Sequence, residues 1–405
     1  MRNVFKLTLI AICLISCSFQ EPVREIVAET EFQLPSDAIP IIYRKHIYIE
    51  GIVDKSKSIF VFDTGADNLY FDSLFFSNNK FAYDKIATAF LPGVGSKPQK
   101  TKLILDTVSF QFANNIYKTS TVPILGLKNI LGDFADGILG RNYFASKVLE
   151  VNYNYQYMKI HDSINAAITN GYTKIRCENV NSWLYVPIKL RINDSLEIIG
   201  NYTLDLGSGG SISLTSPTAK QFDLGSKINH KRNYHSKYGG VGGETSRYDF
   251  IAKSVFIGDY ELKDFVMDYS EDKSGVLSTS KNLGLLGNKI LEKFDLIIDF
   301  RNSFLYIKPN SSFDNPFKIP RLGFAYVDRT VTLGAWNITG FYEGSSAERS
   351  GLKIDDKITQ LNDQPIDEIN YERQQEIFKQ AETIKLTVKR NNETLFFNIQ
   401  LKEIL

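Results

Sequence analysis

The sequence predicts a mainly β protein made of two related units followed by a third of its own kind. Three observations carry that prediction. Tyr, Phe and Trp make up 13% of the 405 residues, and aromatic side chains pack well on pleated surfaces. Short runs at 46–52, 58–62, 103–112 and 149–160 are rich in Ile, Val, Phe and Tyr and are bounded by Gly, Asp, Asn and Ser, the pattern of strands and turns. Two long stretches also match one another, so a length suited to two or three domains of about 150 residues divides into two copies and a remainder. Charge narrows the function. The 47 Lys and Arg against 46 Asp and Glu leave a formal charge of +1, without the basic excess that neutralises phosphates, and nucleic acid is not an expected partner. With 23% charged and 43% hydrophobic residues, neither wholesale disorder nor a polytopic membrane protein fits.

The amino terminus reads as an address. Arg2 and Lys6 precede an apolar run from Leu7 to Ile15, then Ser16 and Cys17, the charged, hydrophobic and small-residue plan of a secretory signal. The run is shorter than the roughly 20 residues a bilayer span needs. Leu14, Ile15, Ser16 and Cys17 resemble the lipobox of bacterial lipoproteins. That resemblance implies a signal peptide over 1–16, acylation of Cys17, a tether over 17–37, and a protein held by lipid in the bacterial cell envelope, on the periplasmic face or the cell surface. Cys13 is then discarded, Cys177 is the one mature thiol, and no intramolecular disulfide can form.

The repeat follows. Residues 59–66 (Ile-Phe-Val-Phe-Asp-Thr-Gly-Ala) correspond to 201–208 (Asn-Tyr-Thr-Leu-Asp-Leu-Gly-Ser) at an offset of 142. Gly93, Val94 and Gly95 correspond to Gly240, Val241 and Gly242 at 147, and that offset is kept by Gly137–Gly140 with Gly284–Gly287, by Asn152 with Asp299 and by Ile160 with Ile307. Five residues are therefore expected to be inserted in the later copy between the first and second landmarks. The stretch 162–182 carries no strong period, and 309–320 has a linker composition.

An Asp that closes an apolar strand just before a Gly is placed to turn sharply. Two such residues in pseudo-symmetric units change its meaning, because a twofold axis would bring Asp63 and Asp205 together. Carboxyl groups about 3 Å apart cannot both ionise, so the pair would share one proton and hold a base and an acid for water attack on an amide. Phe62-Asp63-Thr64-Gly65-Ala66 with Asp136 to Gly140, and Leu204-Asp205-Leu206-Gly207-Ser208 with Gly284 to Gly287, resemble the signatures of the pepsin and retropepsin superfamily of aspartic proteases. The resemblance covers roughly 38–310. It implies two pseudo-symmetric β lobes, at 38–165 and 180–310, with an extended polypeptide substrate bound between them. Asp63 and Asp205 would be catalytic, and Thr64, Gly65, Gly207 and Ser208 would support their loops. Gly93, Val94, Gly95, Gly240, Val241 and Gly242 look like flap tips, where small residues let a hairpin approach a peptide; ordinary hairpin turns are the competing reading. One position departs from the pattern. The family generally has Thr or Ser after each catalytic Asp, and Leu206 removes one hydroxyl of that reciprocal grip, leaving packing or the Ser208 hydroxyl to hold the second loop.

Residues 320–405 have a different pattern. Arg321-Leu322-Gly323-Phe324 resembles the carboxylate-binding loop of a PDZ domain, and Ser345 to Leu352 with Asp355 to Ile358 resembles the helix and strand that follow it. Thr383–Arg390 and Thr394–Leu401 read as a closing hairpin around Asn391 and Asn392. A PDZ-like α+β domain is thus expected to take a peptide C-terminus or loop as an added strand, with Leu322, Gly323 and Phe324 in contact. Its roles in substrate capture or in propping up the later lobe are weighed equally.

Other chemistry is weakly signalled. His230 and His235 lack acidic or thiol partners nearby, so no metal is expected, and the run 207–211 lacks the spacing of a serine nucleophile. Lys174 and Arg176 stand close enough in sequence to lower the Cys177 pKa, although a structural thiol is the simpler reading. The expected protein is a monomeric aspartic endopeptidase without cofactor. The alternative is a catalytically silent peptide-binding lipoprotein, to which Leu206 points.

Overall fold

The computed structural model describes residues 33–91, 99–239 and 243–405. The Ser56–Asp63 strand explains why apolar runs replace alternation here. Phe60, Val61 and Phe62 are all buried, because the strand lies between two neighbours with both faces covered. It pairs antiparallel with His46–Val53 and parallel with Gly137–Gly140, which in turn pairs antiparallel with Leu69–Asp72. The second repeat rebuilds the same arrangement: Glu197–Leu204 pairs antiparallel with Trp183–Arg191 and parallel with Gly284–Leu286, and that strand pairs antiparallel with Ile212–Leu214.

The register tests the sequence offsets directly. Phe60 lies opposite Gly137 and Tyr202 opposite Gly284, so 142 for the first landmark and 147 for the glycine element both hold. The slip between them is not a single insertion, however. Phe71 and Leu214, 143 apart, face the two glycines, while Ile124 and Tyr269, 145 apart, occupy the next parallel position. The extra residues of the later copy are spread over several loops, which absorb length without disturbing the ladder.

Between the repeats, Val148–Asn152 pairs antiparallel with Phe294–Asp299. Leu149 faces Ile298 and Val151 faces Leu296, while Glu150 faces Ile297. Shifting by 147 carries the first pair onto the second and the third onto itself, which places a pseudo-twofold axis at Glu150 and Ile297. The axis makes the two repeats halves of one site.

Several expected elements are subdivided. The 103–112 run breaks after Ile104, and the 149–160 run is the hairpin Val148–Asn152 and Tyr157–His161, its turn closed by Asn152 accepting the Tyr155 amide at 2.8 Å. The 162–182 stretch contains strands Thr173–Arg176 and Glu178–Val180, each paired within the second repeat. The 309–320 linker is packed down, with Phe313 5.4 Å from the Phe294 ring and Phe317 5.7 Å from that of Phe265. Among the described residues no helix is long and apolar enough to cross a membrane.

The C-terminal domain has its own core, centred on Trp336, Ile338, Ile358, Leu386 and Ile399. Its closing hairpin, Thr383–Arg390 with Glu393–Gln400, turns at Asn391 and Asn392, both at positive φ (48° and 68°) as a two-residue turn requires. The domain does not stand apart. Strand Ala335–Tyr342 pairs with Arg232–Ser236 of the second repeat, so both belong to one 14-stranded sheet. On the other side, Arg329 meets Asp133 of the first repeat at 3.0 Å with both side chains under 10% exposed. Asp133 also accepts from the Thr332 amide at 2.7 Å, and its own amide donates to the Asp328 carbonyl at 2.8 Å. Removing one partner of such a buried pair leaves an uncompensated charge. Asp133→Ala is therefore expected to cost about 3–5 kcal/mol of stability in urea unfolding. A change below about 1 kcal/mol would mean that this contact does not join the domains.

Candidate active site

Asp63 is the last residue of its strand, and Asp205 follows the last residue of the equivalent one. Each chain end then turns back on its own carboxylate. Asp63 Oδ1 accepts from the amides of Gly65 at 2.7 Å and Ala66 at 3.0 Å, and Asp205 Oδ1 accepts from Gly207 at 2.9 Å and Ser208 at 3.1 Å. The two loops are copies related by the axis. The carboxyls face each other across it, close enough that one position, a Cβ on Gly65, would lie within 3 Å of an oxygen of each. A methyl group at Gly65 would lie 2.8 Å from Asp205 Oδ1 and 2.9 Å from Asp63 Oδ1, and one at Gly207 only 2.1 Å from Asp63 Cγ. Both glycines are therefore required by the close approach of the opposite carboxyl. Gly137 and Gly284 are needed in the layer beneath, where a methyl would stand 2.2 Å from the Tyr70 carbonyl and 2.4 Å from that of Ser213.

Burial pushes the pKa of both carboxyls up. The charge of Asp63 adds to this at Asp205, which lies well above the ordinary carboxylate range. At Asp63 the amides of Gly65 and Ala66 and the more distant Arg141 guanidinium oppose the rise. Two close buried carboxyls cannot both ionise, so one proton is held by the pair as a unit.

The Leu206 departure is accommodated by a different set of bonds. The Thr64 hydroxyl donates to the Leu204 carbonyl at 2.7 Å and accepts from the Leu206 amide at 2.9 Å, so half of the reciprocal grip is made in full. Leu206 itself is buried in the main core. Its carbonyl is held by Asn288, whose amide group donates to Leu206 O at 2.7 Å and whose Oδ1 accepts from Tyr153 at 2.8 Å. The expectation for Ser208 is corrected. Its hydroxyl accepts from the Gly210 amide at 3.3 Å, and only its backbone reaches Asp205.

Three supporting residues escaped the sequence reading. Asn288 follows the later glycine element and Arg141 the earlier one, and their amides donate to the equivalent carbonyls of Ser208 and Ala66. The Arg141 guanidinium also donates to Ala66 O at 2.7 Å and lies 3.9 Å from the centre of the Trp183 ring. The 147 offset aligned these two positions, but their unlike side chains gave no match to notice. His46 Nδ1 stands 2.8 Å from the Gly207 carbonyl. A carbonyl only accepts, so the proton is on Nδ1, and burial pushes the imidazole down to about 4, leaving it neutral at pH 7.

The flap-tip positions Gly93, Val94, Gly95, Gly240, Val241 and Gly242, and Cys17 with its lipobox, lie outside the described residues. The strands leading to both tips do pair, as far as Leu91 with Gln99 and Ser236 with Thr245. Cys177 is buried and its thiol is pushed up to about 12 by that burial, so the nearby cations do not activate it.

In the C-terminal domain, Gly323 has φ +76° and its carbonyl accepts from the Ser345 hydroxyl and the Tyr342 amide, both at 3.0 Å. Phe324 is a core residue, and Leu322 packs on the same core half-buried. Among the described residues, strand Phe324–Arg329 pairs only with Ala335–Tyr342, and its other edge runs beside helix Tyr371–Gln380, with the Tyr326 and Phe378 rings 6.1 Å apart. Arg321 caps that helix through the carbonyls of Lys379 and Ala381. A strand with one edge left without a strand partner and lying next to a helix is the geometry of peptide strand addition. Residues 321–389 match the family model described as PDZ domain, and the C-terminal part of the chain is a PDZ domain of this peptide-binding kind. The last strand, Glu393–Gln400, continues the same sheet beyond the matched residues. No curated protein matches the chain.

Proposed function

We propose that the protein is an aspartic endopeptidase that cuts polypeptides with the Asp63–Asp205 pair, tethered by lipid at Cys17 in a bacterial cell envelope. The observation that carries this reading is the pair itself: two carboxyls facing each other across a pseudo-twofold axis, each cradled by two amides of its own loop. Close carboxyls oppose one another unless they share a proton, and a shared proton supplies base and acid at once. Asp63 takes a proton from a water whose oxygen attacks the scissile carbonyl carbon, while Asp205 gives its proton to the carbonyl oxygen. Collapse of the tetrahedral diol returns a proton to the leaving nitrogen, breaks the C–N bond and restores one proton to the pair.

The silent peptide-binding alternative drew its support from Leu206. The bonds of Thr64, Asn288 and His46 hold the second loop by other means, which supports the peptidase reading over that alternative. The PDZ domain would present peptide strands along Phe324–Val327. Beyond these residues the edge carbonyl of Asp328 is already bonded to Asp133, which favours short C-terminal tails as its ligands. Digestion of a terminally blocked peptide library, read by mass spectrometry with and without a statine-type inhibitor, tests the activity. Inhibitor-sensitive cuts are expected, and an intact library would refute the reading.

A further inference from the structure

We propose that a peptide C-terminus bound in the PDZ groove raises the activity of the carboxyl pair, through a turn at residues 44–46 that touches both. The proposal rests on the peptidase reading and adds the regulation of that site. Helix Tyr371–Gln380 forms one wall of the groove. Its Ile377 and Phe378 pack on the domain's own core, while its first two residues reach out to the first repeat. Arg44 Cζ lies 5.0 Å from the centre of the Tyr371 ring and 5.3 Å from that of Phe134, and the guanidinium donates to Glu372 Oε1 at 3.3 Å. The ion pair is open to water, with side chains 33% and 68% exposed, and contributes little. Stacking of the guanidinium between two rings carries the contact.

Two residues further on, the same turn reaches the loop that carries Asp205. Arg44 is paired with His46 across a tight turn at Lys45, which has φ +66°. His46 Nδ1 donates to the Gly207 carbonyl at 2.8 Å. The Lys45 carbonyl accepts from Asn288 Nδ2 at 3.1 Å, the same group that holds Leu206 O at 2.7 Å. Tyr43, before the turn, is fixed by its hydroxyl donating to Glu292 at 2.5 Å. A turn tied at both ends in this way passes a displacement of the groove wall to the loop through contiguous contacts. A peptide strand added along Phe324–Val327 lies against the helix and holds it in place, and with it the Tyr371 ring, Arg44 and the carbonyls of Leu206 and Gly207. A loop already ordered by one ligand loses less freedom when a substrate orders it, so the two ligands favour each other.

The test uses the full chain and a pool of heptapeptides with free, apolar C-termini, whose tightest-binding member serves as the probe. With that peptide saturating, kcat/KM on a short substrate blocked at both ends is expected to rise about fivefold or more, and the Nδ1–H NMR resonance of His46 to shift. Arg44→Ala is expected to bind the probe and lose both responses, while Glu372→Gln, which leaves the stack in place, keeps them. Melting curves confirm that each variant folds. An unshifted His46 resonance in wild type, cleavage that the probe leaves unchanged or lowers, a full response in Arg44→Ala, or no binding by any member of the pool would overturn the coupling alone. A shifted resonance in a protein that cuts nothing, with or without the probe, would overturn the peptidase reading and leave groove and loop coupled.

Discussion

Asp63→Asn is expected to remove peptide hydrolysis, by about 10²–10⁴-fold or more, and at the same time to make the protein more stable at neutral pH. The first effect follows because the amide can neither accept the proton of the attacking water nor share one with Asp205. The second follows from the sign of the pKa shifts. Both carboxyls are raised above the unfolded value of 3.8. Their contribution to stability is therefore fully present below that pH and is lost as pH rises through the folded values. The substitution removes one member of the pair and frees Asp205 of its neighbour's charge. The melting temperature of the variant should exceed that of wild type at pH 7, with the gap closing below about pH 4. Undiminished cleavage by purified Asp63→Asn protein would sink the assignment. A destabilised variant would mean that the pair contributes to stability instead of straining it.

Deleting residues 321–405 is expected to abolish activity on short and long substrates alike. Equal footing between substrate capture and support of the later lobe was all that the sequence allowed, and the structure favours support. Removal would strip the Gly340–Tyr342 pairing from Tyr234–Ser236, the outer strand of the hairpin that leads to residues 240–242. It would leave the buried Asp249 without the Tyr342 hydroxyl and Asp133 without Arg329. An exposed strand edge, a buried Asp249 left with Arg247 as its one partner among the described residues and an Asp133 stripped of Arg329 weigh heavily against a total stability of about 5–15 kcal/mol. Hydrolysis of a short peptide and of an unfolded protein by the truncated chain gives the answer. Loss confined to the larger substrate would instead assign the PDZ domain to capture.

What was legible in the sequence and what was not divides along a physical line. The carboxyl pair was legible because each Asp-x-Gly turn has to be spelled out locally, and because the twofold axis writes it twice. The glycines at 65, 207, 137 and 284 were legible for the same reason, since no other residue fits where a methyl would stand within 3 Å of its neighbours. The supports were not. Asn288 reaches Leu206 from 82 positions away and His46 reaches Gly207 from 161, and the axis does not repeat them: Arg141 stands where symmetry would put Asn288. Nor did the sequence signal how the third domain docks. Strand pairing through the backbone needs no particular side chain, and its one trace is Gly340, where a methyl would lie 2.6 Å from the His235 carbonyl.

Binding of a statine-type peptide to wild type and to Asp63→Asn, measured by titration calorimetry at the pH of highest activity, tests the central claim most directly. The hydroxyl of such a compound occupies the place of the attacking water and needs a carboxyl pair that holds a single proton. The account predicts tight binding to wild type and a loss of about 10²-fold or more in the variant. Equal affinity for the two proteins, or none for wild type, would contradict it.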